Sequence, residues 1–315
     1  MSGESTPPGS SAACDHGGTI VGGAGVADKV AVLGAGAVGG MLGVLLAEAG
    51  HEVTLLASDR TSTAINLDGL RLRSGRFGEH HARVPARPWL TAPVDVLFVA
   101  VKAPDLLAAL GRVAPALVHG AVVAPLLNGV DHVPLLRAAF PGATVVPMTV
   151  SVEATRVAPG VIEHVSPFVD YALCGAHADS APGPLLRSAG LDVDVSAPDE
   201  ATLLWRKLSF LAPLALLTTH ARDALGPARD ARPDLLDALV DEAAAAAAAG
   251  GAAVDPQGVR ERLRGLPAGM RSSMLKDAVA GATLELDAIA GPILRAAPDG
   301  APVTREVVAA ISRAA

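Results

Sequence analysis

Six consecutive residues near the start of the chain have the glycine spacing of a phosphate-binding turn. They are Gly34-Ala35-Gly36-Ala37-Val38-Gly39, a G-x-G-x-x-G pattern. Gly34 would let the chain turn sharply, Gly36 would let the backbone approach a diphosphate, and Gly39 would let a helix pack on a strand. The N–H groups that begin the following helix would face the phosphates. The pattern therefore predicts a dinucleotide site in which Gly34, Gly36, Ala37, Val38 and Gly39 contact the cofactor.

A membrane span is the alternative explanation of the same region. Residues 30–47 are 18 consecutive uncharged residues, close to the length that crosses a bilayer. Against a span, KVAVL (Lys29–Leu33) is typical of a strand, Gly50 is placed to end a helix, and EVTLLA (52–57) is typical of a second strand. A strand, turn, helix and strand in this order favour the dinucleotide site.

The residues after the second predicted strand bear on which dinucleotide binds. They are Ser58, Asp59 and Arg60. A carboxylate accepts hydrogen bonds from the adenosine 2′-hydroxyl of NAD, whereas a cation pairs with the 2′-phosphate of NADP. Because both types are present, these residues alone leave NAD, NADP and an ordinary solvated turn open.

Lys102 and Asn128 lie at the ends of two further apolar runs, VDVLFVAVK (94–102) and AVVAPLLNG (121–129). A third run, ATVVPMTVSVE (143–153), also predicts a strand, and helical stretches separate the runs. This alternation predicts an α/β doubly wound parallel sheet, in which ligands bind beyond the carboxyl ends of the strands. Both residues fall at such ends, although a charged strand cap and an ordinary turn explain them equally well.

Lys207, Ser273 and Glu285 are the candidate polar groups of the second half. Lys207 lies in an apolar stretch, where burial would disfavour its ammonium form and make it a better proton donor. The alternative is a lysine that extends to solvent from a helix edge. On one straight helix Ser273 and Glu285 would lie roughly 18 Å apart. A break at Gly281, with Thr283 capping a new helix and Glu285 in its first turn, would bring them together. Helix capping alone also explains the serine and the glutamate.

The elements divide the chain into three expected parts. They are a disordered tail at 1–28, a Rossmann-type dinucleotide-binding domain at 29–197, and an all-α substrate and catalytic domain at 198–315. The tail is rich in Gly, Ser, Pro and Ala and lacks the pattern of a secretory signal. Pro213 predicts a kink in the first helix of the second domain, because it removes a backbone donor.

Charge and cysteine content exclude several classes of function. The net charge is −7, from 25 Lys and Arg against 32 Asp and Glu, without a long basic run. We therefore expect no nucleic-acid partner. Cys14 and Cys174 are far apart in sequence, which predicts neither a disulfide framework nor a metal cluster. These features favour a cytoplasmic protein without a membrane partner.

Five motifs resemble, in this order, those of the ketopantoate reductase (2-dehydropantoate 2-reductase) family over residues 29–297. They are VAVLGAGAVGG, VAVKAPD, LLNGVD, LLWRKLSFLAPLALLT and SSMLKDAVAGATLELD. The resemblance implies a Rossmann domain joined to a helical domain, with NADPH and a 2-oxo acid bound between them. It implies reduction of the 2-oxo acid to a 2-hydroxy acid, which in the family is the 2-dehydropantoate to pantoate step of pantothenate biosynthesis. A homodimer is compatible with it.

The resemblance also implies roles for residues of this chain. Lys207 matches the family's catalytic lysine, Glu285 its acid, and Ser273 a substrate-binding serine. Lys102 and Asn128 match residues that border the nicotinamide and the substrate. Lys207 would protonate or polarise the ketone oxygen while the cofactor supplies the hydride. Ser273 would hold the substrate carboxylate.

The chain departs from the family pattern at four positions. Leu211, Ala215 and Leu225 stand where asparagines are usual, which predicts a more apolar pocket and opens the choice of substrate. Ser58 stands where arginine is usual, which leaves Arg60 as the candidate contact of the NADP phosphate. Two alternatives stay open: a non-catalytic NADP(H)-binding redox sensor, and an opine-type or other specialised-metabolism dehydrogenase with the same two-domain plan.

Overall fold

The computed structural model describes residues 28–314. The predicted tail at 1–28 lies outside the described residues except for Asp28, and so does Cys14. The strands are β1 Lys29–Leu33, β2 Glu52–Leu56, β3 Leu70–Ser74, β4 Gly78–Ala82, β5 Ala86–Arg87, β6 Val96–Val99, β7 Val122–Pro125, β8 Thr144–Val145, β9 Met148–Ala158, β10 Val161–Cys174 and β11 Val193–Ala197. The helices are α1 Ala37–Glu48, α2 Asp59–Asp68, α3 Leu106–Leu110, α4 His132–Ala139, α5 Pro182–Ser188, α6 Glu200–Ala221, α7 Leu225–Ala231, α8 Pro233–Ala249, α9 Pro256–Gly265, α10 Ser273–Val279, α11 Leu286–Ala296 and α12 Pro302–Ala314.

Six strands form a parallel sheet in the order β5-β2-β1-β6-β7-β8, which confirms the predicted α/β doubly wound architecture. Alternate residues of β1 enter two different cores. Val30 and Val32 pack in the core that includes α1, whereas Ala31 and Leu33 pack in the core that includes α3 and α4. Because both faces of the sheet are covered, its strands are apolar on both sides.

The sequence analysis did not predict the second, mixed sheet. It runs in the order β11-β10-β3-β4, and β9 pairs antiparallel with β10. The run 143–153 divides between the two sheets, because β8 ends at Val145 and β9 begins at Met148. The prediction of a single strand there is wrong.

Helix α1 packs between the two sheets, and its glycines permit the close approach. A Cβ at Gly40 would lie 2.8 Å from Ile162 of β10, and one at Gly43 would lie 2.8 Å from Leu55 of β2. Gly50, at φ +92°, follows the end of this helix as predicted. The uncharged run at 30–47 is therefore a strand, a turn and most of a 12-residue helix.

The helices from α6 onward share one apolar core. Helix α6 begins after Asp199, whose carboxylate accepts from the Thr202 N–H at 2.7 Å. It continues through Pro213 and ends at Ala221, and the next residue, Arg222, has a left-handed backbone with φ 55°. Within the described part of the chain, α6 is the one helix with the length and apolarity of a membrane span, and 72% of that window is buried in the protein. Helix α6 is therefore the core helix of the second half, packed against α8.

All the described strands precede residue 198 and the helices from α6 onward follow it. We retain the division into domains 29–197 and 198–315 as a proposal. In this division α6 packs against β9, β10 and β11 of the first half. The segments that follow β6 and β7 make polar contacts with Lys207 of α6, Asp277 of α10 and Glu285 before α11.

Candidate active site

The glycine turn after β1 is tight on its inner side and open at Gly36. Gly34 has φ +108°, and its N–H donates to the Leu56 carbonyl at 2.9 Å. A Cβ at Gly39 would lie 2.0 Å from the Gly34 carbonyl oxygen, so α1 can start this close to the turn only with glycine there. A Cβ at Gly36 would meet no atom within 4 Å. Gly36 provides no side-chain cap, so the open side of the turn and the first N–H groups of α1 fit a phosphate group.

The segments after β6 and β7 lie at the same edge as this turn. Strand β6 lies between β1 and β7, and a Cβ at Gly34 would lie 2.9 Å from the Ala100 carbonyl. Lys102 and Asn128 follow these strands, so both lie at the carboxyl-end edge of the parallel sheet, as the sequence predicts.

Lys207 of α6 reaches the same edge from the helical half. Its Nζ donates to Asn128 Oδ1 at 2.9 Å and to the Val150 carbonyl at 2.8 Å. Burial lowers the pKa of Lys207 to about 8, and the Glu285 carboxylate acts in the opposite direction. The alternative of a lysine that extends into solvent is wrong, because two oxygen acceptors hold the ammonium group.

Glu285 connects to Lys207 through Asn128. Glu285 is 7% exposed, its Oε2 accepts from Asn128 Nδ2 at 3.2 Å, and its Oε1 accepts from the Ala103 N–H at 3.1 Å. Because the Asn128 amide accepts from the lysine and donates to the glutamate, its orientation is set from both sides. The three side chains form one network between the two halves of the chain.

Gly281 provides the predicted break, but the cap of the following helix differs from the prediction. Helix α10 ends at Val279, Gly281 has φ +65°, and α11 begins at Leu286. Glu285 is the residue just before α11, whereas Thr283 lies in the connecting loop. The predicted Thr283 cap with Glu285 in the first turn is wrong, because the loop extends two residues further, to Glu285, whose carboxylate accepts from Ala103 and Asn128.

Ser272 and Ser273 have different environments. Ser272 is buried, accepts from the Leu275 N–H at 3.1 Å and shares a 2.7 Å hydrogen bond with Thr218 of α6. Helix capping therefore explains Ser272. Ser273 is the exposed first residue of α10.

Lys102 has a partner that the sequence analysis missed. Its Nζ lies 2.7 Å from both carboxylate oxygens of Asp277 on α10. Asp277 follows Ser273 by four residues, so spacing along one helix face was the available signal. The ion pair joins the segment after β6 to α10.

Two family models match most of the chain. The model of ketopantoate reductase PanE/ApbA matches residues 30–172, and the model of the ketopantoate reductase PanE/ApbA C-terminal region matches residues 201–311. A 2-dehydropantoate 2-reductase of Mycobacterium tuberculosis is 34% identical over 280 residues, which are 86% of this chain and 92% of that protein. The chain belongs to the ketopantoate reductase family.

Further relatives agree with this assignment. The oxidoreductase YkpB of Bacillus subtilis, itself uncharacterised, is 29% identical over 298 residues, which are 89% of this chain and 97% of that protein. A solved ketopantoate reductase from Ralstonia eutropha JMP134 has a TM-score of 0.80 and 28% identity, and covers 90% of this chain and 97% of its own. A D-mandelate dehydrogenase solved with NADH and anilino(oxo)acetate, at 21% identity and the same coverage, has a TM-score of 0.80 and so shares the fold. This ketopantoate reductase family member is an oxidoreductase that uses a nicotinamide cofactor and acts on a small molecule.

The residues after β2 of this ketopantoate reductase family member lie at the surface. Ser58 accepts from the Thr61 N–H at 3.4 Å and so caps α2. Asp59 and Arg60 begin that helix and are exposed. Asp59 and Arg60, the candidate contacts of the adenosine ribose, therefore lie at the carboxyl end of β2. The ribose of a dinucleotide is expected at this position.

Arg112 is a second cation near this position that the sequence analysis missed. Its Nη1 donates to the carbonyls of Ala57 at 3.2 Å and Pro88 at 2.9 Å. Arg112 and Ala57 are 55 residues apart, so local sequence patterns carry no signal of the contact. The guanidinium group lies beside the residue that precedes Ser58.

The three positions of the helical domain at which the chain lacks the usual asparagine have different environments. Ala215 and Leu225 are fully buried in the helical core. Leu211, one turn after Lys207, is partly exposed. The expectation that all three line an apolar pocket is wrong for Ala215 and Leu225, because their side chains pack against neighbouring helices. Leu211 remains the candidate apolar contact.

Proposed function

We propose that this ketopantoate reductase family member reduces a 2-oxo acid to the 2-hydroxy acid with NADPH, in the crevice between the two domains. The observation that supports this proposal is the network of Lys207, Asn128 and Glu285 beside the glycine turn. A proton donor and a dinucleotide turn at one edge of the sheet are the two groups that carbonyl reduction needs.

Each residue of the network has its own role in the proposed reaction. Bound NADPH supplies the hydride. Lys207 donates a proton to the ketone oxygen, and its pKa of about 8 makes this transfer easier than from an ordinary lysine. Asn128 orients the ammonium group, and Glu285 orients Asn128. Ser273 binds the substrate carboxylate.

The proposed cofactor contacts follow the same edge of the parallel sheet. They are Gly34, Gly36, Ala37, Val38 and Gly39 at the diphosphate, Ser58 and Arg60 at the 2′-phosphate, and Lys102 and Asn128 at the nicotinamide. Arg60 and the nearby Arg112 favour NADP over NAD, because guanidinium groups pair with phosphate. We place the reaction in the cytoplasm, and we keep a homodimer without nucleic-acid or membrane partners as a prediction.

The substrate of the proposed reaction is 2-dehydropantoate or a more apolar 2-oxo acid. In the first case the reaction is the pantoate-forming step of pantothenate biosynthesis. Leu211 favours the second case, because a partly exposed leucine one turn from Lys207 replaces a polar amide of the family. A D-mandelate dehydrogenase with this fold was solved with anilino(oxo)acetate, a ligand that carries an aromatic ring.

The redox-sensor and opine-type alternatives are less well supported. A sensor needs the glycine turn but has no use for a desolvated lysine hydrogen-bonded to Asn128. An opine-type dehydrogenase would require an amino acid as a second substrate. Turnover of a 2-oxo acid alone would exclude both.

The test is NADPH oxidation with 2-dehydropantoate, with 2-oxo acids of increasing apolar side chain, and with amino acid and 2-oxo acid pairs. We expect Lys207→Met to lower kcat with the best substrate by roughly 100-fold or more, because the proton donor is lost. Lys276→Met is the matched control, since Lys276 is an exposed lysine paired with Glu153. Unchanged turnover in Lys207→Met, or equal losses in both variants, would remove Lys207 from the mechanism.

A further inference from the structure

Trp89 is an exposed tryptophan to which the proposed reaction gives no role. It is 56% exposed, whereas Trp205, the other tryptophan of the chain, is 6% exposed in the helical core. A side chain that stays largely in water adds little apolar burial to the fold. The flat face of an indole can instead stack on an aromatic ligand.

The pairing of β2 with β5 sets the position of Trp89 at the edge of the sheet. Leu56 lies opposite Arg87 in this parallel pair, and the Ala57 N–H donates to the Arg87 carbonyl at 3.0 Å. Because the two strands run in the same direction, the residues that follow them leave the sheet at the same edge. Trp89, two residues after β5, therefore lies near Ser58, two residues after β2.

Arg112 joins these two chain segments. Its Nη1 donates to the Ala57 carbonyl at 3.2 Å and to the Pro88 carbonyl at 2.9 Å, and its own carbonyl accepts from the Leu90 N–H at 2.9 Å. Both neighbours of Trp89 in the sequence are thus hydrogen-bonded to Arg112. Trp89 and Arg112 are therefore held next to each other, beside the end of β2.

The guanidinium group of Arg112 retains unused donors. Its N–H groups lie in one plane, and the two carbonyls account for the pair on Nη1. Among residues 28–314 no acceptor bonds to Nε or Nη2, and no carboxylate pairs with the group. The N–H groups of Nε and Nη2 lie parallel along one edge, which is the arrangement that binds two oxygens of a phosphate.

An indole face and a guanidinium edge at this place fit the adenosine end of NADP. Adenine is a flat aromatic ring, and the 2′-phosphate is an anion on the ribose attached to it. Ser58 stands at the position where the ribose of a dinucleotide is expected. The nicotinamide end carries no 2′-phosphate, so the fit selects one end of the cofactor.

We propose that Trp89 and Arg112 bind the 2′-phosphoadenosine end of NADP, with the indole stacked on adenine and with Nε and Nη2 of Arg112 donating to the 2′-phosphate. Ser58 replaces the family's usual arginine, and the neighbouring Asp59 repels a phosphate. Arg112 therefore adds a second guanidinium group to that of Arg60. The inference rests on the proposed function only in taking the glycine turn as the dinucleotide site.

The first measurement is tryptophan fluorescence, because the chain has only Trp89 and Trp205. The ligand is 2′,5′-ADP, which is the adenosine end of NADP without the nicotinamide, so neither turnover nor energy transfer to a reduced ring is involved. We expect saturable quenching of the long-wavelength emission, which comes from the exposed Trp89. In Trp89→Leu the emission of the buried Trp205 should not change when 2′,5′-ADP is added.

The second measurement is the Kd of NADP⁺ and of NAD⁺ by titration calorimetry. We expect Trp89→Leu to raise both Kd values by roughly tenfold, because both cofactors carry adenine. Arg112→Gln keeps an amide donor for a carbonyl but loses the charge. It should raise the Kd of NADP⁺ by roughly tenfold and leave that of NAD⁺ nearly unchanged.

Phe168→Leu and Arg83→Met are the matched controls. Phe168 is an exposed aromatic residue of β10. Arg83 is an exposed arginine that also donates to a main-chain carbonyl, that of Leu67 at 2.9 Å. Neither substitution should change either Kd or the quenching by 2′,5′-ADP.

The proposal is overturned if 2′,5′-ADP binds without quenching, if quenching persists in Trp89→Leu, or if Arg112→Gln weakens NADP⁺ and NAD⁺ binding equally. The fluorescence measurement decides the matter if Arg112→Gln does not fold. NADPH-dependent turnover without quenching by 2′,5′-ADP would overturn this proposal and leave the proposed function. Quenching by 2′,5′-ADP in a chain that reduces no 2-oxo acid would overturn the proposed function alone.

Discussion

Burial and the Glu285 carboxylate shift the pKa of Lys207 in opposite directions. Burial disfavours the ammonium, whereas the Glu285 carboxylate favours it, and the Asn128 and Val150 oxygens accept from it. The pKa therefore falls from 10.5 to about 8 and no further. At neutral pH the ammonium is the main form, yet it releases its proton more readily than an exposed lysine does.

The pH dependence of the reaction follows from this value. We expect kcat/KM for the 2-oxo acid to be level below about pH 7 and to fall about tenfold per pH unit above about pH 8, because only the ammonium form donates a proton. The measurement is kcat/KM across this range. In Lys207→Arg the donor stays charged throughout, so whatever activity remains should not fall there. A fall that begins only near pH 10, or that persists in the arginine variant, would contradict the assignment.

At the residue scale the sequence predicted which residues are candidates for the site but not which of them contact one another. Lys207, Asn128 and Glu285 could each be selected from residue type and position. Asn128 lies 79 residues from Lys207 and 157 from Glu285, so its role as the bridge depends on tertiary packing. Arg112 was missed for the same reason, whereas Asp277 had a local signal in its four-residue spacing from Ser273 along one helix face.

At the element scale, the three glycines of the turn after β1 and the first turn of α1, Gly34, Gly36 and Gly39, have separate roles. Gly39 and Gly34 meet the protein itself, because a Cβ at Gly39 would lie 2.0 Å from the Gly34 carbonyl oxygen. At Gly36, by contrast, a Cβ would have no atom within 4 Å. Substitutions at Gly36 and Gly39 should therefore affect ligand binding and folding differently.

We expect Gly36→Ala to raise the Kd for NADPH at least roughly tenfold, because a methyl group would occupy the approach of the diphosphate. Its free energy of unfolding should fall by no more than about 1 kcal/mol, the cost of an alanine cap. Gly39→Ala should instead lower thermal stability strongly. Titration calorimetry and thermal denaturation measure the two effects.

Gly75→Ala is the control for the glycine experiment, since Gly75 also has no atom within 4 Å of a Cβ and lies in the turn between β3 and β4. It should leave both quantities unchanged. Normal NADPH affinity in Gly36→Ala would argue that the diphosphate binds elsewhere.

The junction of β2 and α2 should set the choice of cofactor. We expect the protein to bind NADPH more tightly than NADH, and Arg60→Ala to weaken NADPH binding by roughly tenfold while changing NADH binding little. Arg60→Lys should retain part of the preference, because the charge remains. The measured quantity is the Kd of each cofactor. If Arg60→Ala raises the Kd of NADPH and the Kd of NADH equally, Arg60 does not contact the 2′-phosphate.

Local patterns predicted the parallel sheet and missed the second sheet for one physical reason. The apolar strands of the parallel sheet alternate along the chain with helices, so each element can be predicted from its own segment of sequence. In the second sheet β3 pairs with β10, and Arg71 lies opposite Val161, which is distant in sequence. The run 143–153 reads as one strand because composition does not reveal that its halves join different sheets. The same limit applies to Ala215 and Leu225, whose burial depends on helices packed around them.

At the scale of the whole molecule, polar contacts join the two halves near the carboxyl ends of β6 and β7. Asn128 and Ala103 bond to Glu285, and Lys102 pairs with Asp277. Further ion pairs between residues of the two halves at the surface include Lys276 with Glu153, Arg295 with Asp131 and Arg137 with Glu200. Exposed pairs contribute about 0–1 kcal/mol each, so we attribute the relative position of the halves mainly to the packed interface and to the buried Glu285.

The central claim is that the helical half presents one ammonium group to a carbonyl at the edge of the parallel sheet. A crystal structure of the ternary complex with NADP⁺ and a non-reacting 2-oxo acid analogue tests it most directly. We predict that Lys207 Nζ lies about 3 Å from the oxygen that stands for the ketone, with the cofactor diphosphate against Gly36. A Lys207 amine turned away from the ligand, or a dinucleotide bound away from the glycine turn, would contradict the account.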